Sequence, residues 1–553
     1  MKVFIRKDQY SPYEEAIIND NMTLEDLYLE NKDKYPYIIV AGIINNEVKP
    51  LTSLINEGDK IQLIDMRTQH GNLIYQHGLS LIFVKAVWDV MGNVPVYIHN
   101  SLNKGLYIEI NEGKSVAAAT LKEIYNRMKL LVQLNLPIND VEVTCKEALE
   151  FLEKYDMEEK KQMLLDKSDI STVTISELDG YYDFFYDVMV PSTGYIKIFE
   201  LMKYRNGVVL RFPHMSNPGV IPRYVDEKNL YDAFAEMQRW QNLLNIEFVE
   251  DLNRQIRNGD MREVIQLSEA LHEKKIVEIA QDICERNKRI ILIAGPSSSG
   301  KTTFARRLCI QLKVNGKNPL YLGTDDYFVN REDTPLDENG EKNYENLDAV
   351  DVEMFNDHMN KLLAGETVDL PEFDFIDGVK IFGKRITKID KNQPIVIEGI
   401  HALNGFLTKN IDEKEKYRIY ISPLTGLNID RHNRVPTTDE RMLRRMVRDY
   451  KYRGKSAQLT IKEWPKVRAG EDKNIFPYSS MADAFFNSVH IYEISVLKKY
   501  VKPLLENVKK DEEEYAEAKR LLEFLDFFDT FEEDEIIVNN SILREFIGNS
   551  VFA

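Results

Sequence analysis

The amino-acid sequence predicts a multidomain α/β protein whose C-terminal part contains a parallel sheet flanked by helices. With 553 residues, the chain exceeds what one hydrophobic core usually organises, so three or four domains are expected. A β-branched apolar run at 289–294 is typical of a buried parallel strand, and it continues into a glycine-rich loop and a helical pattern. Two further strand-like runs, at 319–324 and 394–397, are each followed by a carboxylate. Ligands of open parallel sheets bind beyond such strand ends.

The composition excludes several classes of protein. Lys and Arg number 72 and Asp and Glu 90, and the net charge of −18 argues against a general nucleic-acid coat, although a local basic patch stays open. Apolar residues make up 43%, which excludes a disordered chain. The three cysteines are widely separated and predict neither a disulfide framework nor a cysteine metal site. No run approaches the ~18 apolar residues of a membrane helix, so we expect a cytoplasmic protein without a membrane partner.

Residues 1–67 have the order of elements of a β-grasp module. Short apolar runs predict strands, and Thr23 before an acidic turn predicts a helix cap. The small size and the turn Gly58-Asp59-Lys60 before the last strand resemble the TGS module, a ubiquitin-like unit of threonyl-tRNA synthetases.

Residues 68–225 predict an α+β unit, in which an apolar helix is followed by several strand-like runs. The order resembles the second additional domain of threonyl-tRNA synthetases, where paired histidines support hydrolytic editing. His77 matches the first histidine, but Leu81 stands at the second, so no second imidazole shares that helix face. This favours a scaffold or a binding surface over editing, with RNA or tRNA contact left open. Residues 226–288 predict a helical connector, because apolar residues recur there at helical spacing.

The predicted C-terminal domain, residues 289–553, opens on the pattern G-x-x-x-x-G-K-T of a phosphate-binding loop. Its two glycines let the backbone approach phosphates, and the loop amides and the helix N-terminus donate hydrogen bonds. Lys301 can reach the terminal phosphates, and the Thr302 hydroxyl can bind Mg²⁺. The expected nucleotide-binding residues are Gly295, Pro296, Ser297, Ser298, Ser299, Gly300, Lys301, Thr302 and Thr303.

Carboxylates follow the next two predicted strands. Asp325 follows the first and can accept the proton of a substrate hydroxyl as that hydroxyl attacks phosphorus. Glu398 follows the second, where many phosphate-loop enzymes place a carboxylate near Mg²⁺, so Thr302 and Glu398 are the expected metal-binding residues. The alternatives are a turn-capping role for the aspartate and a loop-anchoring role for the glutamate.

A basic helix follows at 434–455, with eight basic and three acidic residues in an otherwise acidic chain. Arg444, Arg445 and Arg448 share one helical face with Arg441, at spacings of three and four residues. Closing over a triphosphate, they would stabilise the charge that spreads during phosphoryl transfer, and together with Lys301 and Asp325 they are the expected catalytic residues. A solvated basic helix or an RNA contact is the alternative.

The order of these motifs resembles the uridine kinase and phosphoribulokinase family. Over about 285–500, the motifs are GPSSSGKTT, TDDYF, YENLDAVD, PEFDF, VIEGI and RMLRRMVRDYKYRG. The resemblance implies an ATP- and Mg²⁺-dependent kinase in which Asp325 activates the 5′-hydroxyl of a nucleoside and Arg453 joins the lid contacts to the nucleotide.

The same resemblance implies that Glu345, Phe373 and Asp374 bind the nucleoside. Uridine kinases carry an aspartate and a tyrosine at the first two of these positions, and a histidine where this chain has Gly378. Losing a hydrogen-bonding group at a base edge changes discrimination strongly, so the accepted base stays open.

The predicted function is phosphorylation of a nucleoside 5′-hydroxyl, with uridine or cytidine implied by the resemblance. The alternative is a nucleotide-gated regulatory protein that associates with RNA or the ribosome. A pure switch does not need the nucleoside-pocket residues, which favours the kinase. A homo-oligomer is left open.

Overall fold

The structure is a computed structural model that describes residues 1–9, 11–166, 171–336, 340 and 342–552. It is a mixed α/β protein with a parallel sheet flanked by helices in its C-terminal part, which confirms the predicted fold class. Within the described residues, none of the helices combines the length and the apolar character that a membrane crossing needs.

The first unit is a five-stranded sheet of order β2-β1-β5-β3-β4 with one helix. Its elements are β1 (Lys2–Arg6), β2 (Glu14–Ile17), α1 (Leu24–Glu30), β3 (Ile39–Ile44), β4 (Glu47–Lys49) and β5 (Lys60–Asp65). Strands β1 and β5 run parallel, and the other neighbours are antiparallel. The cap predicted at Thr23 is confirmed, because its hydroxyl accepts a hydrogen bond from the Asp26 amide at the start of α1.

The second unit combines a four-stranded antiparallel sheet, of order β11-β12-β7-β6, with a three-stranded one, of order β10-β9-β8. Its elements are α2 (Gln69–Met91), β6 (Val96–Leu102), β7 (Gly105–Ile110), α3 (Ala118–Leu134), β8 (Asn139–Thr144), α4 (Cys145–Lys154), α5 (Glu158–Leu165), β9 (Thr172–Leu178), β10 (Tyr181–Asp183), β11 (Glu200–Tyr204) and β12 (Gly207–Arg211). Helix α2 is buried along most of its length, and one apolar core, from Val3 to Phe212, runs through both units.

Three helices lead to the C-terminal part: α6 (Lys228–Leu244), α7 (Val249–Asn258) and α8 (Met261–Glu285). They confirm the helical prediction for this stretch. The apolar residues of α8, among them Ile276 and Ile283, belong to the same core as Ile291 and Ile293. The helices are therefore packed as part of the C-terminal body.

The C-terminal part is built on a five-stranded parallel sheet of order β14-β17-β13-β18-β19. Its elements are β13 (Ile290–Ala294), α9 (Lys301–Val314), β14 (Leu320–Gly323), α10 (Val352–Leu363), β15 (Val368–Asp374), β16 (Val379–Thr387), β17 (Ile395–Glu398), β18 (Lys416–Ser422), α11 (Thr437–Arg453), α12 (Ala457–Asn474), β19 (Ala484–Asn487), α13 (Glu493–Glu506), α14 (Tyr515–Leu525) and α15 (Arg544–Ile547). Strands β15 and β16 form a separate antiparallel hairpin.

Strand β13 shows why this sheet is buried on both sides. Ile291 and Ile293 join the core that contains α8 and α9, whereas Ile290 and Leu292 join the core that contains α10. Successive side chains of a strand point to opposite faces, so a continuous apolar run suits a strand that is covered on both. The carboxyl ends of β13, β14 and β17 meet at one edge of the sheet.

Candidate active site

The phosphate-binding loop connects β13 to α9 in a conformation that requires glycine at both ends. A Cβ on Gly295 would lie 2.0 Å from the carbonyl oxygen of Ile421, so only glycine fits against that strand. Gly300 has a φ of +81°, in the left-handed region. The amides at the start of α9 have no partner within the helix and form a donor set suited to phosphate.

Lys301 and Thr302, the residues predicted to bind phosphate and metal, both lie at the loop. Lys301 Nζ donates hydrogen bonds to the carbonyl oxygens of Gly295, at 3.0 Å, and Pro296, at 3.1 Å, so the ammonium group lies at the mouth of the loop. Thr302 Oγ1 donates to Glu398 Oε1 at 2.8 Å. The hydroxyl of Tyr321, on β14, donates to the same oxygen at 3.0 Å and orients the carboxylate.

Asp325 follows β14 in a 3₁₀ turn, where its surroundings change its acidity. Asp325 is exposed on one side, and the partial loss of water to the surrounding protein, together with the negative charge of Glu398, raises the pKa of its carboxyl group to about 6. The positive charge of Lys301 acts in the opposite direction and lowers this pKa. The neighbouring Asp326 instead accepts a hydrogen bond from Arg385 Nη1 at 2.7 Å. The two adjacent aspartates therefore differ in role, since one is paired and the other shares its environment with the loop lysine.

Two arginines of α11 contact the phosphate loop. Arg445 Nη1 donates to Ser297 Oγ at 2.9 Å, and Arg444 Nη1 donates to the Ser298 carbonyl oxygen at 3.2 Å. Arg448 and Arg453 lie further along, where Arg448 Nη2 and Arg453 Nη1 contact Asp449 Oδ1 at 2.9 Å and 3.3 Å. Of the four predicted lid arginines, Arg444 and Arg445 therefore contact the loop. The other two contact the Asp449 carboxylate.

Arg444 is placed differently from its neighbours on the helix. Its side chain is fully buried, and Nη2 donates to Glu493 Oε2 at 2.6 Å and to the Ser488 carbonyl oxygen at 2.9 Å. The guanidinium therefore lies beneath the loop and supports the Ser298 carbonyl. This position fits a positioning role better than contact with a transferring phosphoryl group.

Two residues outside the predicted set also hold the loop. Arg441 Nε donates to the Ser297 carbonyl oxygen at 3.3 Å and forms a buried ion pair with Glu471 of α12. Glu471 Oε1 in turn accepts a hydrogen bond from the Ser297 amide at 3.0 Å. Arg441 shares the helical face of Arg444 and Arg445, so its spacing is a usable signal, whereas no local pattern marks Glu471.

The three predicted nucleoside-binding residues lie in different settings. Burial and the negative charge of Glu471 raise the pKa of Glu345. The positive charges of Arg445 and Lys301 oppose this shift, so Glu345 lies near the phosphate loop. Phe373 is buried in contact with the Phe328 ring, whose centroid is 5.7 Å away.

Asp374 caps the turn of the β15–β16 hairpin. Its Oδ1 accepts hydrogen bonds from the amides of Ile376, at 2.8 Å, and Asp377, at 3.1 Å. The turn explains Gly378, which has a φ of +73° and would place a Cβ 2.6 Å from the Arg331 side chain. A histidine at 378 is therefore incompatible with this hairpin.

The residues at the loop fit a magnesium nucleotide. Mg²⁺ prefers hard oxygen ligands and is usually held by one or two protein groups together with substrate phosphates. Thr302 and Glu398 offer a hydroxyl and a carboxylate oxygen 2.8 Å apart beside the phosphate donors. In the part of the chain that the structure describes, no three His, Cys, Asp or Glu side chains cluster as a protein-only metal site, and this mode of binding does not require one.

His77, the residue matched to an editing histidine, lies inside the protein. It packs between the rings of Phe185 and Tyr186, and burial together with the charges of Arg434 and Arg520 lowers its pKa to about 3. The side chain is therefore buried and has little access to solvent.

The C-terminal part of the chain is similar to known proteins. Residues 290–495 fit the model of the family described as "Phosphoribulokinase / Uridine kinase family". A uridine kinase of Ligilactobacillus salivarius is 28% identical over 180 residues, which cover 32% of this chain and 75% of that protein. A solved structure described as a possible uridine kinase from Bacillus stearothermophilus covers 38% of this chain and 97% of its own, with 18% identity and a TM-score of 0.26.

The N-terminal region matches a different protein. Threonine–tRNA ligase 2 of Bacillus subtilis is 27% identical over 163 residues, which cover 30% of this chain and 26% of the ligase. The comparisons therefore support a kinase domain preceded by a synthetase-like region. The segment 290–495 is similar to the phosphoribulokinase and uridine kinase family, which confirms the resemblance inferred from the order of its motifs.

Proposed function

We propose that the protein is an ATP- and Mg²⁺-dependent kinase that phosphorylates the 5′-hydroxyl of a nucleoside, with a uridine- or cytidine-like substrate. The observation that carries the proposal is the position of Asp325, which follows β14 at the carboxyl edge of the sheet, where that strand pairs with the one that ends in Glu398. There the pKa of Asp325 is raised to about 6. A general base works best when its pKa lies near the operating pH. The match to the family model supports the reaction class, and the choice of base rests on resemblance alone.

In the proposed reaction, Asp325 accepts the proton of the nucleoside hydroxyl while that oxygen forms a bond to the terminal phosphorus of ATP. The bond between that phosphorus and the bridging oxygen breaks, and ADP leaves with the electron pair. Lys301, the loop amides and Arg445 bind the phosphate oxygens and stabilise the charge that spreads over them. Bound Mg²⁺, held by Thr302 and Glu398, would neutralise phosphate charge.

Glu345, Phe373 and Asp374 are the proposed nucleoside-binding residues. Glu345 has the strongest support of the three, since the charges of Lys301 and Arg445 reach its carboxyl group. Arg448 and Arg453 would leave Asp449 to bind the nucleotide when α11 closes. The cytoplasmic location stays a prediction, and the oligomeric state stays open.

A radiolabel assay with a panel of nucleosides tests the function. We expect transfer of the terminal phosphate of ATP to at least one nucleoside, with pyrimidine nucleosides preferred. ATP hydrolysis that no nucleoside affects would contradict the kinase and favour a nucleotide-gated protein that associates with RNA or the ribosome. The match of the N-terminal region to a tRNA ligase is the observation that supports this second function.

The pH dependence of the reaction tests the base. Below about pH 6, Asp325 is protonated and cannot accept a proton, so kcat/KM should fall about tenfold per pH unit there and level off above it. Measured with both substrates below saturation, kcat/KM reports groups of the free enzyme. A cation bound beside Glu398 would offset part of the charge that raises this pKa and would move the midpoint to lower pH. A profile that is flat between pH 4 and 8 would show that no group with a pKa near 6 acts as the base.

A further inference from the structure

The last segment of the chain returns to the phosphate loop after the parallel sheet is complete. We name residues 534–548 the C-terminal strap. Its residues Ile542, Leu543, Phe546 and Ile547 are all buried. Ile542 packs so closely on the loop that a Cβ on Gly300 would lie 2.5 Å from its Cγ2 atom. The strap is thus part of the wall around the candidate nucleotide site.

One carboxylate of the strap bonds directly to predicted nucleotide-binding groups. Glu545 Oε2 accepts a hydrogen bond from the Thr303 amide at 3.2 Å and from Thr303 Oγ1 at 2.7 Å. Thr303 is the third residue of α9, so its amide is one of the donors that the helix leaves unpaired. Such donors at the N-terminus of the loop helix are those that bind nucleotide phosphates. A negative group of the protein itself therefore occupies a donor that a phosphate would use.

The strap also contacts α11, the helix that carries the predicted lid arginines. Lys451 Nζ of α11 donates to the Ile547 carbonyl oxygen at 2.6 Å. The Arg444 guanidinium lies 4.9 Å from the centroid of the Phe546 ring. Inside the strap, Arg544 Nη2 donates to the carbonyl oxygens of Asp534, at 2.9 Å, and Ile537, at 2.8 Å. The strap therefore connects the phosphate loop to the helix that carries the lid arginines.

We propose that the C-terminal strap is an autoinhibitory element in which the Glu545 carboxylate competes with nucleotide phosphates for Thr303. The proposal rests on the proposed function in so far as the loop binds a nucleotide. A carboxylate is favourable at a helix N-terminus in the absence of ligand. When a triphosphate approaches, that carboxylate repels it and has to leave. Binding of a nucleoside triphosphate then displaces the Glu545 side chain from Thr303, while the buried apolar residues of the strap stay packed in the core.

Equilibrium binding of a non-hydrolysable ATP analogue with Mg²⁺ tests the proposal on the full chain. Glu545→Gln keeps the size of the side chain and an oxygen that accepts from Thr303, and removes the charge. We expect the variant to bind the analogue about tenfold more tightly than the wild type, which corresponds to about 1.4 kcal/mol. Glu533→Gln removes an exposed charge near the start of the strap and should bind like the wild type.

The outcomes separate the strap from the function on which it rests. If the wild type binds the analogue and Glu545→Gln binds it equally or more weakly, the autoinhibition proposal is overturned and the kinase proposal stays intact. If neither the wild type nor the variant binds the analogue, both proposals fail.

Hydrogen–deuterium exchange on the wild type gives a second measurement that does not depend on the folding of a variant. Amides at 544–548 should exchange faster when the analogue is bound, because Glu545 no longer anchors this short helix to Thr303. Exchange that stays the same or slows at saturating analogue would show that Glu545 remains bonded to Thr303, and would overturn the proposal.

Discussion

Replacing Asp325 by Asn is expected to lower turnover by about 10²–10⁴-fold, the range that general acid–base groups contribute. The amide keeps the size of the side chain but cannot take up the proton of the nucleoside hydroxyl. Binding of the ATP analogue should be unchanged or somewhat tighter, because a negative charge near the phosphates has been removed. Steady-state kinetics with the best nucleoside of the panel, together with calorimetric binding of the analogue, measure both effects.

The adjacent aspartate provides the matched control. Asp326→Asn makes the same chemical change one residue later, where the carboxylate pairs with Arg385 on the β15–β16 hairpin. Since that pair is partly exposed, its loss should affect stability by no more than about 1 kcal/mol and turnover by less than about tenfold. Equal effects of the two substitutions would remove Asp325 from the role of base, as would near-normal turnover in Asp325→Asn.

The parts of the site that could be predicted from the sequence are those encoded by short segments. The loop pattern by itself requires a strand before it and a helix after it, and β13 and α9 are present as expected. Glu398 could be placed because it directly follows an apolar strand, and the structure pairs it with Thr302. In such cases the position along one element determines the position in space.

Contacts between distant segments could not be predicted in this way. The spacing of the arginines predicts the basic face of α11, but it does not tell which of these side chains point into the protein. Arg444 is buried because Glu493, 49 residues later, supplies a matching carboxylate beneath the loop. Glu545 lies 242 residues from Thr303 and belongs to no recognisable motif. Tertiary packing alone brings such residues to the site.

Replacing Arg444 by Met is expected to destabilise the C-terminal part by about 3–5 kcal/mol, the cost of leaving a buried ionic partner unpaired. Glu493 would lose its ionic partner at a position with no access to solvent, and the Ser298 carbonyl oxygen would lose a donor. Urea denaturation followed by circular dichroism measures the change. A kinase assay on the folded fraction should also show reduced activity, because the phosphate loop loses a support.

Two further variants distinguish a lost ion pair from a general effect of changing the helix. Arg448→Met alters the same face of α11, but Asp449 keeps its contacts with Arg445, at 3.3 Å, and Arg453, so we expect a loss of about 1 kcal/mol or less. The double change Arg444→Met with Glu493→Leu removes both charges and should recover most of the lost stability, since apolar pairs often replace buried ion pairs without loss. A double variant as unstable as Arg444→Met would mean that packing and the loop contact, rather than the unpaired carboxylate, account for the loss.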